Sequence, residues 1–179
     1  SEEIVQTSGL DWTIVRPPAV FGPGDTEMLD LFRMARRGVM MLPPRGRMSA
    51  IYVDELARLL MALAAAHDTG IGAIYEPDDG HPNGWSHRSF ARAIGRAVGR
   101  AHVSTLTIPA TLLKAGGRID KLVRRSRAKL TPDRARYIAH PDWVAAEGAR
   151  PPADLWRPER ETSDALAETV RWYRRENWL

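Results

Sequence analysis

Apolar and polar positions alternate most sharply in residues 10–16, where Trp12 and Ile14 flank Thr13 and Val15 precedes Arg16. β-Branched and aromatic side chains at a two-residue period predict a strand over residues 12–15. Pro17 and Pro18 end it, because neither offers an N–H to a ladder. Ala19, Val20 and Phe21 read as a short apolar shelf, and Gly22-Pro23-Gly24-Asp25 reads as a turn. A strand that stops abruptly and turns at its carboxyl end is where open α/β sheets place ligand crevices.

The pattern then changes period. Met28, Leu29, Phe32 and Met34 or Ala35 fall on one stripe of a helix over residues 26–37, capped by Asp25 or Thr26 and ended by Gly38. Residues 39–42 form an apolar strand stopped by Pro43, and Arg45-Gly46-Arg47 is a basic turn. Residues 49–53 form another strand. Asp54 caps a helix over 55–66 with Leu56, Leu59, Leu60 and Leu63 on its apolar face. Residues 73–76 read as a buried strand and 77–84 as a polar loop. Ser86 opens a helix over 87–99 that turns Phe90, Ile94 and Val98 inward. Residues 103–108 alternate like a strand. Pro109 starts a helix through Leu113, residues 118–129 are basic and moderately helical, and Thr131-Pro132-Asp133 is a further helix start. Ser163 or Asp164 opens a last helix through Ala165, Leu166, Val170 and Tyr173, and residues 1–8 read as the end of a helix closed by Ser8-Gly9. Strands alternating with helices predict an α/β fold.

Composition narrows this reading. The chain has 179 residues, 44% hydrophobic and 27% charged, values in which one domain can bury a core. It has no cysteine, so neither a disulfide framework nor a thiolate metal site is available. No run approaches the ~20 apolar residues of a membrane helix, and no segment has the layout of a signal peptide. A cytoplasmic protein with no membrane partner is expected. The net charge of +4 raises nucleic acid as a partner. The basic run 118–129 holds no aromatic to stack on a base, so it reads as a solvated helix face and no nucleic-acid partner is expected. His81, His87, Asp78 and Asp79 match no ligand spacing, and no metal site is expected. Trp143, Trp156, Trp172 and Trp178 read as packing anchors.

The string from Arg16 to Asp25, RPPAVFGPGD, resembles the R-P-x-x-V-[YF]-G-P-G segment of the extended short-chain dehydrogenase/reductase family, the NAD(P)-dependent epimerases and dehydratases. Ile51-Tyr52-Val53-Asp54-Glu55-Leu56-Ala57 is similar to that family's V-D-D-L-A segment. Leu155-Trp156-Arg157-Pro158 and Thr169-Val170-Arg171-Trp172-Tyr173 are similar to its closing segments.

The resemblance covers only the family's C-terminal part. It implies a C-terminal fragment of a Rossmann-type doubly wound domain, its last strands interleaved with the smaller α/β substrate domain in one unit over residues 1–179. The family's catalytic Tyr and Lys and its glycine loop are expected upstream, so no catalytic residue is assigned here. The resemblance makes Pro17, Pro18, Ala19 and Val20 the wall of the nicotinamide site, and points Ala19, Phe21, Arg45 and Arg47 at a small-molecule substrate. NAD or NADP is implied for the full-length parent, with no tight binding by this chain alone. The strand before Arg16, without its upstream neighbours, predicts self-association. A catalytically silent relative that serves as a binding or assembly protein is the alternative.

Overall fold

The computed structural model describes residues 2–43, 45–66, 69–109, 111 and 140–179. In chain order its elements are α1 (Glu2–Gln6), β1 (Thr13–Val15), β2 (Ala19–Phe21), α2 (Leu29–Arg37), β3 (Val39–Leu42), β4 (Arg47–Met48), β5 (Ala50–Tyr52), α3 (Val53–Ala65), β6 (Ala73–Tyr75), β7 (Trp85–Ser86), α4 (His87–Ala97), β8 (Ser104–Thr107), β9 (Asp142–Trp143), a 3₁₀ turn (Glu147–Ala149) and α5 (Thr162–Arg175). Most of the expected helix at 109–113, the basic run 118–129 and the helix start at 131–133 lie outside the described residues.

The chain divides into two compact units. The first comprises Ser1–Thr26, Ser49–Gly84 and Val144–Leu179, and the second Glu27–Met48 and Trp85–Trp143.

The first unit holds two parallel pairs. β1 pairs with β6, Thr13 opposite Ala73 and Val15 opposite Tyr75. β2 pairs with β5, Ala19 opposite Ala50 and Phe21 opposite Tyr52. Ile51, Leu59 and Trp156 form a core cluster against which Val15, Val20, Leu56 and Leu63 pack. α5 adds the buried Ala165, Leu166, Thr169, Val170 and Tyr173. Leu60, expected on the apolar face of α3, is 48% exposed. A 3.6-residue stripe narrower than the run of leucines leaves one of them to solvent.

In the second unit β3 runs parallel to β8, Val39 opposite Ser104 and Leu42 opposite Thr107. Met40 and Leu42 are buried while Val39 and Met41 are exposed, as a two-residue period requires. Leu29, Phe32 and Ala35 of α2, with Phe90, Ala91 and Ile94 of α4, supply the buried helix faces. β4 pairs antiparallel with β7 and parallel with β9.

Three helix starts differ from the sequence reading. α2 begins after Met28, three residues beyond Asp25, and α3 begins at Val53. α5 begins at Thr162. None of these three starts has a side-chain cap, so a polar residue near the start was a poor guide to the boundary. Asp54 therefore sits in the first turn of α3, where it faces the helix dipole. At α4 the reading holds: the Ser86 Oγ accepts the Ser89 N–H at 3.0 Å. The shelf of Ala19, Val20 and Phe21 is a strand, β2, defined by its ladder to β5.

Candidate functional site

Residues 16–21, where the sequence points to a site, lie in the first unit. β1 and β6 run parallel, so both carboxyl ends lie at one edge, where the chain continues as Arg16 and Glu76. The Arg16 N–H still donates to the Tyr75 carbonyl at 2.8 Å. Pro17 and Pro18 then break the ladder, and the Ala19 N–H resumes pairing with the Ser49 carbonyl at 3.4 Å. Between these two bonds the chain leaves one strand pair and enters the other. The Pro17 and Pro18 carbonyls accept no hydrogen bond among the described residues. They are free acceptors on a rigid step.

Arg16 is tied down on both sides. Its guanidinium contacts Glu2 at 2.6 Å and Glu76 at 3.5 Å. The hydrogen bond with Arg16 holds the Glu2 carboxyl below the usual carboxylate range, and the same pair raises the guanidinium.

Gly22 joins the two motif strings. A Cβ at this position would lie 2.3 Å from Val53 Cγ1 and 3.2 Å from Tyr52 Cε2. Only glycine lets the end of β2 pass so close to the start of α3. Phe21 is fully buried, its ring 5.8 Å from that of Tyr52. The Tyr52 hydroxyl is buried with no well-placed hydrogen-bond partner, and Arg160 lies over its ring at 5.4 Å. Burial first, then Asp54 and Glu168, pushes this phenol up to about 12, with Arg160 opposing.

The loop after β6 is built on two carboxylates. Asp78 is buried and takes Ser49 Oγ at 3.0 Å, Arg150 Nη2 at 2.9 Å and the Gly80 N–H at 3.0 Å. Ser49 Oγ in turn accepts the Ala145 N–H at 3.1 Å. Asp79 accepts Thr162 Oγ1 at 2.5 Å and the His81 N–H at 3.2 Å. A carboxylate that bonds an N–H two residues on is the expected Asx turn, but its distant partners had no local signal. Sequence reasoning missed this network, weighing these aspartates only as ligands. Among the described residues no group of three or more His, Cys, Asp or Glu could hold a metal ion. Among them, too, no helix is long and apolar enough to cross a membrane.

Pro17, Pro18, Ala19, Val20 and Phe21 thus lie together, the first exposed, the next three half-buried and the last inside. Arg45 and Arg47 belong to the second unit, both exposed, Arg47 opening β4.

With this geometry the described residues have the fold of the C-terminal part of the extended short-chain dehydrogenase/reductase proteins, the NAD(P)-dependent epimerases and dehydratases. The likeness read in the motifs holds at that level. One solved structure, gox2253, aligns with a TM-score of 0.67 over 99% of this chain and 53% of its own, at 15% identity. The human epimerase family protein SDR39U1, solved with NADPH, aligns with a TM-score of 0.62 over 89% of this chain and 48% of its own, at 18% identity. In sequence, the ceramide reductase of Caulobacter vibrioides is 30% identical over 186 residues, 99% of this chain and 56% of that protein. The chain spans about half the length of these proteins. No family model matches it.

Proposed function

We propose that this chain is the C-terminal, substrate-binding part of an NAD(P)-dependent oxidoreductase of the extended short-chain dehydrogenase/reductase type, inactive when isolated. The observation that carries this reading is the step at Pro17 and Pro18, with two unclaimed carbonyls at the carboxyl edge of a parallel pair. Carbonyl acceptors suit the amide N–H₂ of a nicotinamide, so the residues present fit the cofactor. When bound, it would supply the hydride. In this reading Pro17, Pro18, Ala19 and Val20 form the wall of the nicotinamide site. We assign the exposed Arg45 and Arg47 to an anionic part of a substrate, which a guanidinium fork suits.

The 30% identity to a ceramide reductase along 99% of the chain supports reduction of a ceramide-type substrate by the whole protein. Its acid/base tyrosine, lysine and glycine loop are assigned to the portion before residue 1. A few contacts at the nicotinamide end do not offset the cost of ordering a dinucleotide. Calorimetry with NADH and NADPH should therefore show micromolar binding by the full-length protein and at best millimolar binding by residues 1–179. Micromolar binding by the isolated chain overturns the division of labour, and no binding by the full-length protein favours a catalytically silent relative.

We also propose that the isolated chain self-associates. Among the described residues β1 has β6 on one side and no strand on the other. An open strand edge recruits another. Sedimentation at increasing concentration should show dimers or larger species, and a monomer throughout counts against it.

A further inference from the structure

On α4, Arg88, Arg92 and Arg96 recur every fourth residue and all are exposed. Residues four apart share a helix face, so three guanidinium groups form one row. None of the three guanidinium groups has an ion-pair or hydrogen-bond partner among the described residues. Like charges at this spacing work against the helix, so the row has no stabilising role of its own.

The end of the helix adds a fourth arginine and a wall. Gly99 takes a φ of 89°. Its N–H donates to the Arg96 carbonyl and the Arg100 N–H to the Gly95 carbonyl, both at 2.9 Å. These two bonds make a Schellman turn, which sends the chain back along the helix. It returns at Gly95, where a Cβ would come within 2.5 Å of Val103 Cγ2. Arg100 is fixed in place, its Nε and Nη2 donating to the Arg36 carbonyl at 3.0 and 2.8 Å, which leaves Nη1 for a ligand. Arg92, Arg96, Arg100, Ala101, His102 and Val103 line a cleft of about 430 Å³.

We propose that this cleft binds a phosphate ester. Guanidinium forks match phosphate oxygens two bonds at a time, and a pre-fixed arginine loses little freedom on binding. The reading is independent of the cofactor wall in the first unit. The phosphate has two possible sources, a soluble phosphoester or the headgroup of an anionic phospholipid.

The test uses the full-length protein, inorganic pyrophosphate in calorimetry, and flotation with phosphatidylcholine vesicles with and without phosphatidylglycerol. Arg92→Gln/Arg96→Gln is compared with the charge-matched pair Arg157→Gln/Arg171→Gln on other exposed arginines. Loss of two charge-assisted contacts should weaken pyrophosphate binding by about tenfold or more, with the control pair unchanged. Pyrophosphate binding without flotation assigns the site to a soluble ester. Flotation that needs phosphatidylglycerol and the two α4 arginines assigns it to a headgroup. The proposal is overturned if neither probe binds, or if both double variants weaken binding equally, because net charge alone would then be responsible.

Discussion

Two buried tyrosines in the first unit make opposite demands on their hydroxyls. Tyr173 donates to the Asp25 carbonyl at 2.7 Å, whereas the Tyr52 hydroxyl is buried without a well-placed partner. Tyr173→Phe should therefore cost about 1 kcal/mol at neutral pH, while Tyr52→Phe should be neutral or stabilise by up to ~1 kcal/mol. Denaturant melts of the two variants check this. Both phenols are raised above their ordinary value, mainly by burial, and Tyr52 reaches about 12. The unfolded chain ionises its tyrosines near pH ~10, while the folded state keeps these two protonated. The contribution of Tyr52 is thus fully present below ~10 and is lost as the pH rises from there to about 12. Tyr52→Phe should flatten that fall, and an equally steep fall in the variant would show that this phenol does not drive it. Asp78 is the third residue on which the unit depends. Removing it in Asp78→Ala leaves Arg150 and Ser49 without their acceptor, which should cost about 3 kcal/mol, near the low end for a buried pair because Arg150 is partly exposed.

At the scale of elements, the helix starts separate a cap from a dipole contact. Ser86 caps α4 through the Ser89 N–H, so Ser86→Ala should cost about 1 kcal/mol. Asp54 only adds charge to the first turn of α3, so Asp54→Ala should cost about 0.5 kcal/mol, and less at high salt. Equal losses in melting experiments would show that Asp54 acts as a cap after all. The contact between β2 and α3 is stiffer. Gly22→Ala places a methyl 2.3 Å from Val53 Cγ1, and the backbone on one side must move. A loss of about 1–3 kcal/mol is expected, recovered in part by Val53→Ala in the same chain. Recovery identifies the clash, since an independent effect would leave the two losses additive.

On the scale of the whole molecule, chain order and spatial order part company. The first unit is assembled from three separate segments and the second from two. The loop 77–84 is held by Ser49 and Arg150, 29 and 72 residues away from Asp78. A cut or insertion between residues 150 and 160 should therefore loosen the loop after β6 as well as α5. Hydrogen exchange of the Gly80 and His81 amides, which bond Asp78 and Asp79, reads this directly. Unchanged protection at both amides would show that the loop stands without Arg150 and Thr162.

Periodicity alone specified where apolar faces lie. Residues 12–15 and 73–76 read as strands, and strands run over 13–15 and 73–75; Leu29 and Phe32 read as part of one inward stripe and Phe90 and Ile94 of another, and all four are buried. Those signals survive because alternation at two or 3.6 residues is set by backbone geometry within a few neighbours. Gly22 was legible as part of a turn and Val53 as part of a motif string, but the close approach of one to the other was not. Pairing partners were not legible. Ala19, Val20 and Phe21 became a strand only because Ala50, Ile51 and Tyr52 lie beside them, and three apolar residues after two prolines carry no sign of that. Nor did any local pattern join Asp78 to Arg150 or Arg16 to Glu2, because a charged residue names the sign of its partner and not its place in the chain. The sequence by itself determined which faces turn inward, because that periodicity is local. Only the tertiary structure decided which distant carboxylate met which arginine, because those contacts form across loops whose closure leaves no local trace.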